Sequence, residues 1–463
     1  MKANFKFLYI LCFTLIVGCK TGDDLYLSPN DPAEANLATL LTALEVNTFA
    51  NVEGELSRIS SILVQQSAGI GAQYNDIQNY RITEGDFDNS WEGLYTGTMY
   101  NAKLLIDKAG AESPHYAGIG KVLMAINLAI ATDLWGDVPY SEAFKFDEGI
   151  RTPKLDTQAD IYKSIDNLLG EAIAHFQASK DDNLFLPSGD DVMLEGDVEM
   201  WEKAAYTLRA RYLHRTSSKV AGTETKVLEY LSKGISSNAE NLEAIHSAEG
   251  GALNQWGAFS KSRGGYLGAN KLFVDRMLSK SDPRLSYLLS KTKEGVYAGG
   301  NISDAVISSS ISGLGIFFGV HPDPKEKLLP ADYPIVTYYE AKFIEAEVKQ
   351  RQGGNSSALL NDAIKANVEY VTAGKESAAT VANYTVTTLQ DIMMEKWVAM
   401  YNQSIEAYND YRRTGIPALV SRPEAVGAEL SYTPKRFPFP KTTTLYNPNA
   451  KLIPMDVPVW WGK

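Results

Sequence analysis

The sequence predicts a mainly α fold of tetratricopeptide-like helix pairs with long loop excursions. Three observations predict it. Apolar residues recur at helical spacing in successive segments. Gly, Pro and Asp close those segments, and Ala stands where two helices of a pair must cross. A lone helix cannot bury its stripe, so such pairs stack into one scaffold. The literal tetratricopeptide consensus is absent, and only its geometry is matched.

At the N-terminus, Lys2 and Lys6 precede an apolar run from Phe7 to Val17, short for a bilayer span but of signal-peptide length. It ends in Ile16-Val17-Gly18-Cys19, which resembles the bacterial lipobox. There the small residue admits the peptidase and the thiol then takes a diacylglycerol. Residues 1–18 therefore read as a lipoprotein signal peptide, and 19–31 as an acylated flexible tether carrying lipid on Cys19. Residues 32–463 read as one helical domain. The competing readings are an uncleaved anchor helix, or an ordinary secretory signal with Cys19 incidental. The only other cysteine, Cys12, lies in the signal, which leaves the domain no disulfide and no Cys-bound metal.

Ala33–Ala68 reads as helical through Leu37, Leu40, Leu41, Leu44, Ile59, Ile62 and Leu63. Gly69–Asp88 reads as a glycine-bearing loop too polar to pack in a core. Trp91–Ala109 is helical again. From Tyr116, one apolar stripe (Ile119, Val122, Leu123, Ile126, Ile130) runs to a stop at Gly136 and Pro139. Its partner begins at Thr157, with Asp160 in capping-box position, and carries Ile161, Ile165, Leu168, Ala172, Ile173 and Phe176. A second pair follows Asp197: Trp201, Ala205, Leu208 and Tyr212, then Val227, Leu228, Leu231 and Ile235. A third has Tyr339, Phe343 and Ala346, turns at Gly353-Gly354, and returns through Leu360, Ala363, Ile364 and Val368. The excursion 241–334 breaks this rhythm; apart from a short helix near Ala269–Leu278 it is Gly/Ser/Pro-rich with scattered aromatics. A loop this long carries function or hides small strands. A last helix, Leu389–Arg412, places Trp397, Tyr401, Ile405 and Tyr408 on one face.

The bulk numbers exclude several functions. The net charge is −12, and loss of residues 1–18, with two lysines and no acid, takes it to −14. Such a surface repels phosphate backbones, and no basic run overrides it, so nucleic acid is excluded as a partner. The five histidines are far apart, so neither a metal site nor any other cofactor is expected. The acids Glu395, Glu406 and Asp410 beside Arg412 and Arg413 offer either a catalytic carboxylate or a charge lattice. Arginine pairing favours the lattice, because it holds a carboxylate ionised.

Several pieces recur in order along the chain: Trp91-Glu92-Gly93-Leu94-Tyr95 leading to Asn101, and Ala131-Thr132-Asp133-Leu134-Trp135-Gly136-Asp137-Val138-Pro139-Tyr140. Asp282-Pro283-Arg284-Leu285, Thr337 to Glu347, Glu395-Lys396-Trp397 through Thr414-Gly415, Arg436-Phe437-Pro438-Phe439-Pro440 and the closing Trp460-Trp461 complete the set. With the lipobox at Cys19, the ordered set resembles the SusD/RagB family of outer-membrane nutrient-binding lipoproteins, in its SusD-like branch found in Bacteroidetes. Lys20 followed by Asp23 and Asp24 is similar to the surface-export signal of lipoproteins in that phylum. The resemblance implies a SusD-like α-α superhelix, held on the cell exterior, that acts as a lid over a SusC-like TonB-dependent transporter. It would capture an oligosaccharide or a peptide and would not be an enzyme. The rival readings are a surface glycoside hydrolase and a transporter-associated scaffold with little ligand contact.

The shared motifs are scaffold, so ligand residues are read from physics. Sugars stack their C–H faces on rings while Asn, Gln and Arg read hydroxyls. Tyr74, Asn75, Tyr80 and Arg81 in the glycine loop fit that chemistry. So do Asn254, Gln255, Trp256, Phe259, Phe317 and Phe318 in the excursion.

Overall fold

The computed structural model describes residues 35–249, 251–300, 308–420 and 432–463; the signal peptide, Cys19 and the tether lie outside the described residues. The chain opens with Leu37–Glu53 (α1) and Glu55–Leu63 (α2). The single helix expected here breaks at Gly54, where a Cβ would lie 2.1 Å from the Ala50 carbonyl oxygen. Next come a strand, Ser67–Gly69 (β1), and a short helix, Ala72–Gln78 (α3). The expected polar loop is thus ordered and packed. Tyr74, Ile77 and Gln78 are buried, and Gln78 accepts a bond from the Gly69 N–H at 2.7 Å. Satisfied polar tips let such residues sit inside.

Asp88–Glu92 (α4), a π-helical stretch Gly93–Met99 and Tyr100–Ala109 (α5) lead to the central helix, Pro114–Trp135 (α6). Pro114 occupies the first helical position, where its missing N–H costs nothing. Every α6 residue except Lys121 is buried. The one expected stripe is therefore an all-round apolar surface, enclosed by α1, α5 and Gln158–Phe176 (α7). Although α6 is long and apolar enough to cross a membrane, it is a core helix here. The stop and start are as the sequence predicts: Gly136 has φ +85°, and the Thr157 hydroxyl accepts the Asp160 N–H at 3.2 Å.

Val198–Arg215 (α8), capped by Asp197, pairs with Glu224–Leu231 (α9). The excursion then folds as Leu242–Ala244 (β2), Gln255–Ser262 (α10), Leu267–Ala269 (β3), Lys271–Ser279 (α11), Leu285–Leu288 (α12) and Tyr333–Val336 (β4). The antiparallel ladder β1–β3 ties it to the N-terminal helices, and β2–β4 pairs its two ends with each other. The third pair is Tyr338–Arg351 (α13) with Ser357–Thr372 (α14), its predicted stripe fully buried.

Leu389–Ala399 (α15) and Ser404–Thr414 (α16) replace the one long helix expected. Gln403 stands between them: it donates to the Ile335 carbonyl at 3.0 Å and accepts from the Tyr339 hydroxyl at 2.9 Å. Those contacts bind the break to β4 and α13. The Arg436-to-Pro440 strip crosses the end of α6, with Phe437 stacked on Phe87 and the Trp135 indole donating to the Pro438 carbonyl at 2.8 Å. Lys441–Tyr446 (α17) follows, and the chain closes with Trp461 buried. One hydrophobic cluster runs from Leu37 to Trp461.

Candidate ligand-binding face

The β1–β3 ladder pairs Ser67 with Ala269 and Gly69 with Leu267. β1 leads out into α3, whereas α10 leads into β3. Because the strands are antiparallel, both helices come to the same end of the ladder. There the Phe259 ring of α10 meets the Tyr74 ring of α3 edge-on, with centroids 5.3 Å apart. Arg58 of α2 lies over the Phe259 ring at 4.5 Å and donates to the Tyr74 hydroxyl at 2.8 Å. A cleft of about 530 Å³ opens beside this cluster, lined by Arg58, Leu253, Gln255, Ala258, Phe259, Lys261, Ser262 and Leu328. Lys261 fixes its rim by donating to the Pro324 and Glu326 carbonyls at 2.5 and 2.9 Å.

The electrostatics beneath the cleft are those of a buried pair. Glu53 lies 2.8 Å from His246 and accepts the Gln255 N–H at 3.3 Å. Burial raises the Glu53 carboxyl above its usual value, although His246 opposes it. Burial pulls the His246 ring down, but Glu53 outweighs it and raises that ring. Among the described residues that line the cleft, the charged side chains are Arg58 and Lys261, with no Asp or Glu.

Among the residues singled out in the sequence, Gln255 and Phe259 reach the cleft. Five others belong to the core, which corrects their reading as exposed stacking or hydrogen-bonding groups. Tyr74 is 1% exposed, under Phe259 and bonded to Arg58. Tyr80, with φ +54°, is equally buried, its hydroxyl 3.0 Å from that of Thr433. Asn254 caps α10, accepting the Trp256 and Gly257 N–H groups at 3.0 and 3.2 Å. Trp256 and Phe318 stack on each other at 5.3 Å and meet Tyr401 edge-on, which closes them off from solvent. Phe317 is half-buried against Tyr370. Asn75 and Arg81 stay partly exposed near α3, away from the cleft lining, with the Arg81 guanidinium held by Asp76. Sequence reasoning missed Arg58. Its signal was a single cation in α2 among the apolar residues Leu56, Ile59, Ile62 and Leu63.

The C-terminal acids form the lattice. Arg413 grips Glu347 through two bonds of 2.6 and 2.7 Å and reaches Asp410 at 2.9 Å, while Lys396 holds Asp410 at 2.7 Å. Arg215 bridges Asp133 and Glu406, and Arg276 pairs with Glu395 at 2.5 Å. Burial alone would raise Glu347, but Arg413 and His214 hold it well below the usual carboxylate range.

A family model described as starch-binding and associating with the outer membrane, SusD-like, matches residues 29–440. The chain belongs to the SusD-like family. Solved SusD-like structures share the fold. A SusD/RagB family protein from Bacteroides thetaiotaomicron is 24% identical, with TM-score 0.79 over 93% of this chain and 100% of its own. A chitin-binding SusD homolog from Flavobacterium johnsoniae is 20% identical, with TM-score 0.78 over 91% and 98%. A SusD homolog from Bacteroides fragilis is 20% identical, with TM-score 0.72 over 91% and 99%. No curated protein matches the chain.

Proposed function

We propose that this SusD-like chain captures an oligosaccharide at the outer membrane and passes it to a SusC-like TonB-dependent transporter. The family match over residues 29–440 carries the reading. The cleft beside Phe259 supports it physically. A half-exposed ring offers a face for sugar C–H groups, and Gln255, Lys261 and Arg58 offer donors for hydroxyls. Of the residues first singled out, Gln255 and Phe259 are the proposed contacts, with Asn75, Arg81 and Phe317 as outlying polar and aromatic groups. A lipid on Cys19 would hold the domain on the cell exterior.

Isothermal titration with maltooligosaccharides and chitooligosaccharides, combined with product analysis, tests the reading. Saturable heat without product is expected, and Phe259→Ala lowers affinity about tenfold, the value of one lost stacking contact. Sugar turnover would move the chain to the glycoside hydrolases. No heat with any glycan or peptide, together with co-purification of a transporter, would leave a scaffold role instead.

A further inference from the structure

Glu53 and His246 form a closed pair whose contacts need a proton between them. Phe49 and Glu53 stand one turn apart on α1, and the His246 ring meets Phe49 edge-on at 5.9 Å. The β2–β4 ladder sets this approach. It pairs Ala244 with Tyr333, and Asp332, just before β4, accepts the His246 N–H at 2.8 Å. The two side chains are shut off from water, at 6% exposure for His246 and 0% for Glu53.

Both ring nitrogens face oxygens. Nε2 lies 2.8 Å from Glu53 Oε1, and Nδ1 lies 3.1 Å from the Ala252 carbonyl oxygen. Two protons on the pair serve both contacts, either as imidazolium with carboxylate or as neutral imidazole with carboxylic acid. With one proton fewer, a ring lone pair must face either the carboxylate or the carbonyl, and an uncompensated charge is buried.

The same pair touches the cleft wall at two points. His246 meets the Ala252 carbonyl, and Glu53 accepts the Gln255 N–H at 3.3 Å; Leu253 and Gln255 line the cleft. Two further bonds hold this segment. The Ser247 N–H donates to the Ala252 carbonyl at 2.9 Å, and the Asn254 side chain donates to the Ala331 carbonyl at 3.1 Å. Loss of the proton therefore loosens the wall without unfolding it. We infer that Glu53 and His246 are positioning residues for the cleft, whose shared proton fixes the segment Ala252–Gln255 and whose deprotonation weakens capture.

The surrounding charges set the direction. Burial raises Glu53, against His246 and Arg58 of α2. Burial alone would lower His246, but Glu53 and Asp332 outweigh it and raise the ring above its ordinary 6.5. Glu249, on the same segment as His246, is exposed. The fixed wall is thus fully present below 6.5 and is lost as pH rises through the raised value.

This inference rests on the proposed capture site, and two readouts separate them. Hydrogen–deuterium exchange of the full chain in detergent, corrected for intrinsic rate, reads the wall without any sugar. Protection of the Gln255 amide should fall about tenfold between pH 6 and 10, the value of one lost charge-assisted hydrogen bond. Affinity for maltoheptaose or chitohexaose should fall with it. Glu53→Gln gives Nε2 a permanent N–H and keeps an oxygen for Gln255, so both profiles flatten with protection retained. His246→Phe keeps a ring against Phe49 but removes both contacts, which leaves the wall loose even at pH 6. A parent profile without the fall overturns the inference, as does an equal fall in Glu53→Gln, even if His246→Phe does not fold. Sugar affinity that stays flat while protection falls also overturns the positioning role and leaves capture intact. If neither sugar binds at any pH, the capture reading fails, and the proton-fixed wall stands or falls on exchange alone.

Discussion

Two buried carboxylate regions of this molecule solve the same problem in opposite ways. Around α13 and α16, Glu347 is fully enclosed but meets Arg413, Arg351 at 2.7 Å and His214 at 2.9 Å. Around α1 and the loop before α8, Glu45 and Asp191 are equally enclosed, and among the described residues neither has an ion-pair partner. Asp191 is satisfied by neutral donors: the Leu194 and Gly196 N–H groups at 2.9 Å and the Trp201 indole at 2.8 Å. Among the described residues, Glu45 accepts one hydrogen bond, from the Val192 N–H at 2.8 Å. Burial, reinforced by the Asp191 charge, pushes the Glu45 carboxyl up to about 11, so it keeps its proton. Cations keep Glu347 charged; burial beside the Asp191 charge keeps Glu45 neutral.

The two regions therefore respond to pH with opposite signs. Glu347 has a depressed folded pKa, so its stabilisation is present above the ordinary glutamate value of 4.5 and is lost as pH falls below it. Glu45 has a raised folded pKa, so stability declines as pH rises from 4.5 towards about 11.

The largest effect is expected from Arg413→Met, which removes the one cation shared by the buried Glu347 and Asp410. Denaturant unfolding at neutral pH should show a loss of about 3–5 kcal/mol. A loss below about 1 kcal/mol would mean that the remaining cations suffice. Next comes Trp201→Phe, which keeps an aromatic side chain but removes the indole donor to Asp191 and part of the buried ring; at least about 1–3 kcal/mol is expected in the same measurement. Glu45→Gln removes the titrating group while conserving shape. Unfolding midpoints between pH 6 and 10 should fall less steeply than in the parent, and an unchanged slope would place the alkaline sensitivity elsewhere. The smallest change belongs to Arg81→Ala. Its pair with Asp76 is solvent-exposed, so about 0.5 kcal/mol or less is expected, against the buried Arg413 pair.

The scaffold was legible because its signals are local. The Gly136 stop, the Thr157 and Asp197 caps and the stripes of α7, α8, α13 and α14 each depend on residues within a few turns. The acid–arginine lattice was readable as a type, since Arg beside carboxylate has one stable buried outcome; its partners across α8, α13 and α16 were not. Nor was the candidate face beside Phe259. Its organising strands are three residues long, and Ser67 meets Ala269 only in the folded chain. Strands that short carry no period to read.

The aromatic residues drew the same line. Tyr and Trp suit both a core and a wet surface, so loop position alone could not tell Phe259, at the cleft, from Trp256 three residues earlier, closed under Phe318 and Tyr401. Sequence by itself determined the paired helices of the scaffold and their caps at Gly136, Thr157 and Asp197, because hydrogen bonding and side-chain period act over a single turn. Tertiary structure alone decided which rings meet solvent and which buried acids meet cations, because burial is set by neighbours that arrive from distant parts of the chain.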